Sequence, residues 1–481
     1  MTYTSFYYYV IILAMLPLYY IIPRKFRYIL LLAGSLFFYY QFCLGQIPLL
    51  ILFAFSLIVS YAAGILLSRT EDPGKRKKIL WGGILLSVLP LLLVKLREFA
   101  LGIGTDLPFG VLAPVGISFY SLQMAAYLAD VYTGKTETVR NPLHYTLFAS
   151  YFPQIIQGPI PRYKQLGCQF EEGPVFNDAL FHEGICRIIW GFFLKFMIAD
   201  KAGILVNAVF ARPDLYPGAY IWLGGILYSI QLYTDFMSCV MLAKGVSGLF
   251  SVEITDNFRR PYFARSVQDF WHRWHISLSE WLRDYIYFPL GGSRKGKIRT
   301  YLNIIAVFAV SGFWHGGSPK FLFWGLLHAF YQICGKLTWG IRNKVLSLVR
   351  IDPESLPVRL FRALATSFLV MEAWIIFRAD TLDQGLAMIR SMFSLYNPWV
   401  LLNGSVYDMG LDAKDCLVLA GAILVLLVSS LLGARGRISS WICRQQLPVR
   451  WLVCIGGILV IALMGTYGYG YEAQAFIYGG F

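Results

Sequence analysis

The stretch Val310-Ser311-Gly312-Phe313-Trp314-His315-Gly316-Gly317 lies within residues 304–324, an apolar segment otherwise suited to a lipid bilayer. A second stretch lies upstream, Trp271-His272-Arg273-Trp274-His275-Ile276-Ser277-Leu278-Ser279. An ionisable side chain in hydrocarbon is expensive, so it faces a bundle interior or a water-filled cavity. A histidine there can stay neutral and still take up a proton near neutral pH. The pattern points to an enzyme working inside a membrane, not to a passive anchor.

The rest of the chain agrees. Of its 481 residues 57% are hydrophobic and only 14% charged, with a mean hydropathy of +0.58. A soluble protein carries about 25% charged residues. Apolar runs of near-spanning length recur throughout, which predicts an all-α, polytopic helical membrane protein with about 10 to 12 spans. The net charge of +15 is spread between those runs with no basic tail. It reads as basic loops on an anionic leaflet; nucleic acid is not an expected partner. The eight cysteines show no CxxC pair and no zinc spacing, so neither a metal site nor a disulfide framework is expected.

The opening spans are expected at 3–22, 28–44, 47–67 and 79–96. The first lacks a basic n-region and reads as a retained helix. Arg24, Lys25 and Arg27 follow the first span, and Arg69 with Lys75, Arg76, Lys77 and Lys78 follows the third. Two spans separate these basic loops, so they share one side, the cytoplasmic one. Loop 98–108 then falls outside, and 112–132 returns toward Lys135 and Arg140. Residues 144–157 are apolar but short and break at Gly158-Pro159-Ile160-Pro161-Arg162, which suits a re-entrant half-helix. Helices follow at 180–208 and 218–243. Residues 257–300 are too polar and aromatic to face lipid. Further spans are read at 320–339 and 360–377, an amphipathic helix at 382–396, and closing spans at 416–433 and 451–467. The last two flank a basic loop with Arg435, Arg437, Arg444 and Arg450, leaving both termini, including Phe481, outside the plasma (or inner) membrane. No internal repeat is visible. We treat the chain as one transmembrane domain with amino-terminal helices in 1–110, a motif-bearing core in 111–340 and carboxy-terminal helices in 341–481.

Apolar and aromatic residues recur at 267, 271, 274, 278, 281 and 285, steps of three and four that predict one helix face. His275 adjoins that face. It is either a catalytic group or a structural histidine bonded to a neighbouring helix. The glycines around His315 either let a thin acyl donor pass beside the imidazole or let helices pack closely. Gln123, Gln154, Gln157, Gln231, His328 and Glu372 read as bundle-interior hydrogen-bonding groups. Asp235 stands apart, as a group that orients a histidine or lines a tunnel. Tyr262, Arg283, Asp284 and the run 291–297 can form a cytoplasmic mouth. The run's glycines and cations can hold phosphate, or they simply form a basic loop.

Several segments together resemble the membrane-bound O-acyltransferase family, in its alginate O-acetylation branch. They are Pro114-Val115-Gly116-Ile117-Ser118-Phe119-Tyr120, Phe152-Pro153-Gln154 with Gly158-Pro159-Ile160, and Asn257-Phe258-Arg259-Arg260-Pro261-Tyr262. The rest are Asp269-Phe270-Trp271, Arg273-Trp274-His275-Ile276-Ser277-Leu278-Ser279, Trp281-Leu282-Arg283-Asp284-Tyr285, Phe288-Pro289-Leu290-Gly291-Gly292, Gly312-Phe313-Trp314-His315-Gly316 and Phe377-Arg378-Ala379. Gln157 and Thr234-Asp235-Phe236-Met237-Ser238 depart from that branch. The resemblance implies re-entrant helices around a central funnel or tunnel. It implies His315 as the catalytic histidine and His275 as the family's second one. Asp235, Trp274, Trp314, Asn257, Tyr262 and Arg283 are the expected donor-contacting or tunnel-lining residues. No bound cofactor is expected. The implied donor substrate is a thioester, acetyl-coenzyme A or an acyl carrier protein. The implied acceptor is a cell-surface polysaccharide outside the membrane, reached through a separate extracytoplasmic SGNH-type acyltransferase. The rival readings are a D-alanyl transferase for teichoic acid and a transporter or flippase.

Overall fold

The computed structural model describes residues 2–105, 113–433, 438–467 and 476–477. Met1, residues 106–108 of the expected outer loop, Arg435, Arg437 and Phe481 lie outside the described residues. Every regular element among those described is helical. The chain's extended contact is an isolated antiparallel bridge between Phe258 and Trp274.

Helices α1 (Phe6–Ile21), α2 (Arg27–Phe42), α3 (Ile47–Arg69) and α4 (Pro73–Gly102) occupy the four expected opening spans. Proline in the first turn of α3 and α4 suits their starts, and the Asp72 carboxylate accepts from the Lys75 amide at 2.6 Å. Next come α5 (Ile117–Tyr132), the short α6 (Pro142–Ser150) and α7 (Tyr163–Glu172). Helices α8 (Asp178–Phe192) and α9 (Asp200–Ala211) join through a π-helical turn at Phe193–Ala199. α10 (Ala219–Leu249) runs through the middle of the bundle with most of its side chains buried. The polar stretch that follows holds only α11 (Val267–Trp271) and α12 (Ile276–Leu282), both short. The remainder is α13 (Lys297–His315), α14 (Pro319–Leu337), α15 (Trp339–Leu348), α16 (Leu356–Arg378), α17 (Leu382–Ser394), α18 (Ala413–Leu432), α19 (Ile438–Cys443) and α20 (Leu447–Met464). Among the described residues α3, α4, α10, α16, α18 and α20 are long and apolar enough to cross a membrane, and α1 is apolar but shorter.

Side-chain bonds tie several of the loops between the helices to the bundle. The Arg24 guanidinium donates to the Gly173 carbonyl at 2.9 Å, the Asn177 amide to Ser251 Oγ at 3.0 Å, and Ser440 Oγ to Glu183 at 2.6 Å. Other helix ends are tied by Lys201 to Asp415 at 2.6 Å, Arg378 to Asn207 at 2.9 Å, and the Ala219 amide to Asn397 at 2.7 Å.

Two local expectations fail. Residues 304–324 are not one apolar rod. α13 ends at His315, Gly316 is extended, and Pro319 opens α14 in the opposite direction. The two helices touch backbone to backbone. A Cβ on Gly312 would sit 2.4 Å from the Phe321 carbonyl oxygen, and one on Gly325 would sit 2.2 Å from that of Phe308. Of the two readings of these glycines, close helix packing is the one the structure shows at Gly312. Residues 267–285 are not one helix either. The chain breaks between α11 and α12, where His275 takes a left-handed backbone conformation with φ 46°. Val267, Trp271, Trp274, Leu278 and Trp281 are all buried as their spacing implied, on two short helices and, for Trp274, in the break between them, while Tyr285 is partly buried.

The apolar interior forms two clusters. One gathers α1 to α7, the end of α10 and α12, and includes Leu278, Trp281 and Trp314. The other gathers α9, the start of α10, α11, α14 and α16, and includes Trp271, Trp274, Trp324 and Phe377. Both histidine motifs straddle this seam.

Candidate active site

His275 owes its position to a polar clamp. The Asn257 side-chain oxygen accepts from the Ser277 amide at 3.0 Å and from Ser277 Oγ at 2.9 Å. The Asn257 carbonyl accepts from the Ile276 amide at 3.0 Å, and the Arg259 amide donates to the Arg273 carbonyl at 2.9 Å. Ser277 Oγ also accepts from the Ile160 amide at 3.0 Å, so the Gly158-Pro159-Ile160 turn is pinned to the same point. A β-like segment, 257–259, thus brackets the break in the chain from both sides. This over-determination holds an L residue at positive φ, which costs roughly 1–2 kcal/mol. The His275 ring is fully buried against Phe236 at 4.9 Å and Phe119 at 6.3 Å, and among the described residues neither ring nitrogen has a hydrogen-bond partner.

His315 closes α13. Its ring lies edge-on to Trp314 at 4.8 Å, Trp324 at 5.0 Å and Phe377 at 5.6 Å, and the residue is 1% exposed. The other side of the pair is reached through one indole. The Trp314 ring is 5.9 Å from His275, and Trp314 Nε1 donates to the Ser118 carbonyl at 3.0 Å. Two imidazoles therefore flank a single anchored tryptophan. Just beyond His315 the Gly317 amide donates to Glu98 at 2.8 Å, and Glu98 pairs with Lys95 at 3.1 Å.

Two cavities approach this pair. A smaller one, about 320 Å³, has Trp271, Ile276, Phe308 and Ser311 among its walls and His272, Arg283 and Lys336 around it. Ser311 is one helical turn before His315 on α13, and Ile276 follows His275, so close chain neighbours of both histidines wall this cavity. A larger one, about 740 Å³, reaches Asn257 and Phe258. Phe258 meets Phe236 at 5.0 Å, and Phe236 in turn meets His275. Neither histidine lines either cavity.

The other expected residues divide. Trp314 lies between the two imidazoles. Asn257 positions the His275 segment and also borders the larger cavity. Arg283 stands at the smaller cavity, paired with Asp284 at 3.0 Å. Trp274 is core: it stacks on Phe270 at 5.4 Å, meets Trp374 at 5.2 Å and lines neither cavity. Tyr262 donates to the Ser229 carbonyl at 2.6 Å and packs on Trp274, again away from both cavities. Among the described residues Asp235 bonds to no histidine, and it lines neither of these cavities. Its oxygens accept from Lys195 at 2.8 Å and from the Ile477 amide at 2.8 Å, and Lys195 also meets Asp200 at 2.9 Å. The reason is electrostatic: a carboxylate buried in hydrocarbon takes the nearest buried cation. Lys195 had a readable signal, being a lone cation inside the apolar run 192–199. Gln123 donates to the Phe148 carbonyl at 2.6 Å, and His328 Nδ1 lies 3.4 Å from Trp271 Nε1, both bundle-interior roles. Among the described residues no group of three or more His, Cys, Asp or Glu side chains can hold a metal ion.

The pattern of the membrane-bound O-acyltransferase family matches residues 137–346, which include both histidines and the smaller cavity. The chain is 33% identical to a probable alginate O-acetylase of Azotobacter vinelandii over 87% of this chain and 82% of that protein. The chain belongs to the membrane-bound O-acyltransferase family. It is also 30% identical to a peptidoglycan O-acetyltransferase of Helicobacter pylori, over 76% of this chain and 73% of that one. A teichoic acid D-alanyltransferase of Bacillus subtilis is 30% identical over 53% of this chain and 67% of its own length. As a membrane-bound O-acyltransferase the protein is a multi-pass membrane enzyme that transfers acyl groups to oxygen.

Proposed function

We propose that the enzyme moves an acetyl group from a cytoplasmic thioester to hydroxyls of a cell-surface polysaccharide, with His315 as the catalytic base. One observation carries this reading. The His315 imidazole ends a buried helix whose Ser311, one turn earlier, walls a cavity bordered by Arg283 and Lys336. A thioester such as acetyl-coenzyme A or an acyl carrier protein places its phosphates among such cations and its acyl end inward. His315 takes the proton of the attacking hydroxyl as that oxygen bonds to the thioester carbonyl. The carbon–sulfur bond then breaks, and the imidazolium returns the proton to the leaving thiolate. His275, across Trp314, is the second candidate. The basic loops expected on one side support a cytoplasmic donor side, both termini outside and a plasma (inner) membrane location. An extracytoplasmic SGNH-type partner would complete delivery to the polymer. The likeness to alginate and peptidoglycan O-acetyltransferases over most of the chain favours acetyl over D-alanyl.

His315→Ala should abolish ester groups on the surface polymer while the protein stays at its normal membrane level. Mass spectrometry of those esters in the parent and variant strains tests it and distinguishes acetyl from D-alanyl. Full ester content in the variant removes His315 from the reaction.

A further inference from the structure

The larger cavity lies away from the smaller one, between the α8–α10 pair and the two closing spans. Trp190, Phe193, Met237 and Met241 wall it on the body side, Val425 and Val460 on the far side. α18 and α20 are barely buried by protein, 11% and 6% over their apolar stretches, so most of their surface is left to lipid and to this gap. An apolar gap between membrane spans excludes water and takes up hydrocarbon.

Its rim is cationic. Arg187, Lys244, Arg259 and Arg260 all border it. Arg187 is paired with Glu183 and Lys244 with Asp256. Among the described residues no carboxylate forms an ion pair with Arg259 or Arg260. Lys244 and Asp256, which also border it, lie toward and just beyond the end of α10, near where Ser251 meets Asn177. Basic pockets between spans are suited to anionic lipid head groups.

We propose that this cleft holds one anionic phospholipid, its acyl chain between the α8–α10 body and α18–α20 and its phosphate against Arg259 and Arg260. The lipid then has a structural consequence. Asn257 and Phe258 form part of the cleft's wall. The same two residues clamp Ser277 and bridge Trp274 on either side of His275. A filled cleft braces that segment, so the head-group charge of the surrounding bilayer sets how firmly His275 is held. This site does not depend on the acyl-transfer reading, because it is tested by binding.

The test uses the full chain, purified and stripped of lipid in detergent, with thermal unfolding followed as lipid is added. Phosphatidylglycerol should raise the unfolding temperature and phosphatidylcholine should not. Arg259→Gln with Arg260→Gln should weaken the apparent phosphatidylglycerol affinity about thirtyfold, the effect of two near-surface cations. Gly456→Phe offers a second route. A Cβ at Gly456 meets nothing within 4 Å, so the ring can enter the cleft without displacing backbone, and the lipid effect should vanish while the fold persists. The proposal fails if both lipids act equally, if the double variant keeps its response, or if coenzyme A gives the same shift and competes with the lipid. The last result would make the cleft the donor's.

Discussion

Asn257→Ala removes the oxygen that holds the His275 segment. Its two accepted bonds, 3.0 Å and 2.9 Å long, come from Ser277, and Asn257 is 1% exposed, so bulk water does not replace them. A buried donor left without an acceptor costs about 1–3 kcal/mol. The Ser277 amide loses its acceptor outright, while the hydroxyl can rotate, which puts the loss at roughly 2–4 kcal/mol. For a chain larger than an ordinary domain each kcal/mol moves the midpoint by about 2 °C or somewhat less, giving a fall of about 3–8 °C. The kinetic effect should be larger than the thermal one. His275 is held at φ 46°, and a loosened clamp lets its backbone relax and swing the ring away from Trp314. Thermal unfolding of the purified protein and ester content of the surface polymer read the two effects separately. Ser277→Ala supplies the cycle, since its hydroxyl both donates to Asn257 and accepts from Ile160. Residues in one hydrogen-bond network couple by about 0.5–3 kcal/mol, so the double variant should lose less than the sum of the singles. A single variant that unfolds with the parent and keeps full ester content, or strict additivity in the cycle, would show that the clamp does not hold the site.

Three further expectations follow from the same geometry. Lys195→Met strands the carboxylates of Asp200 and Asp235, and breaking a buried pair this way costs about 3–5 kcal/mol, so an immunoblot of membranes should show little mature protein; a normal level would mean the cluster is not ionised. Gly312→Val drives a side chain into the Phe321 carbonyl and should destabilise by about 1–3 kcal/mol in a thermal melt, whereas Gly335→Ala, which meets nothing within 4 Å, should be neutral or slightly stabilising. Lys336→Gln, at the smaller cavity, should raise KM for the thioester donor several-fold with kcat unchanged, as loss of uniform binding does; unchanged KM in steady-state assays would place the donor elsewhere.

Much of this arrangement was legible along the chain. The runs that became α3, α4, α10, α16, α18 and α20 are long apolar stretches with few charges, and a bilayer gives such stretches almost no alternative to a helix. The basic loop after the first span is pinned to the protein where Arg24 meets Gly173. His315 stood out because a histidine in an apolar run requires an explanation. The 267–285 face was half legible. Spacing of three and four reports which side chains are buried, and Trp271, Trp274 and Trp281 are. It does not report whether the backbone between them is continuous, since two short helices around a left-handed residue can bury the same set.

By itself the sequence determined that this is a helical membrane protein with an imidazole buried in an apolar stretch, because hydropathy and the cost of a polar group in lipid act locally. Only the tertiary structure decided what each polar group does. Lys195 lies 40 positions from Asp235, Asn257 lies 20 from Ser277, and Trp314 lies 196 from Ser118. Partners that distant are chosen by the packing of whole helices, so residue types that look equally functional in the chain separate into an ion pair, a clamp and a wall between two histidines only once the bundle has closed.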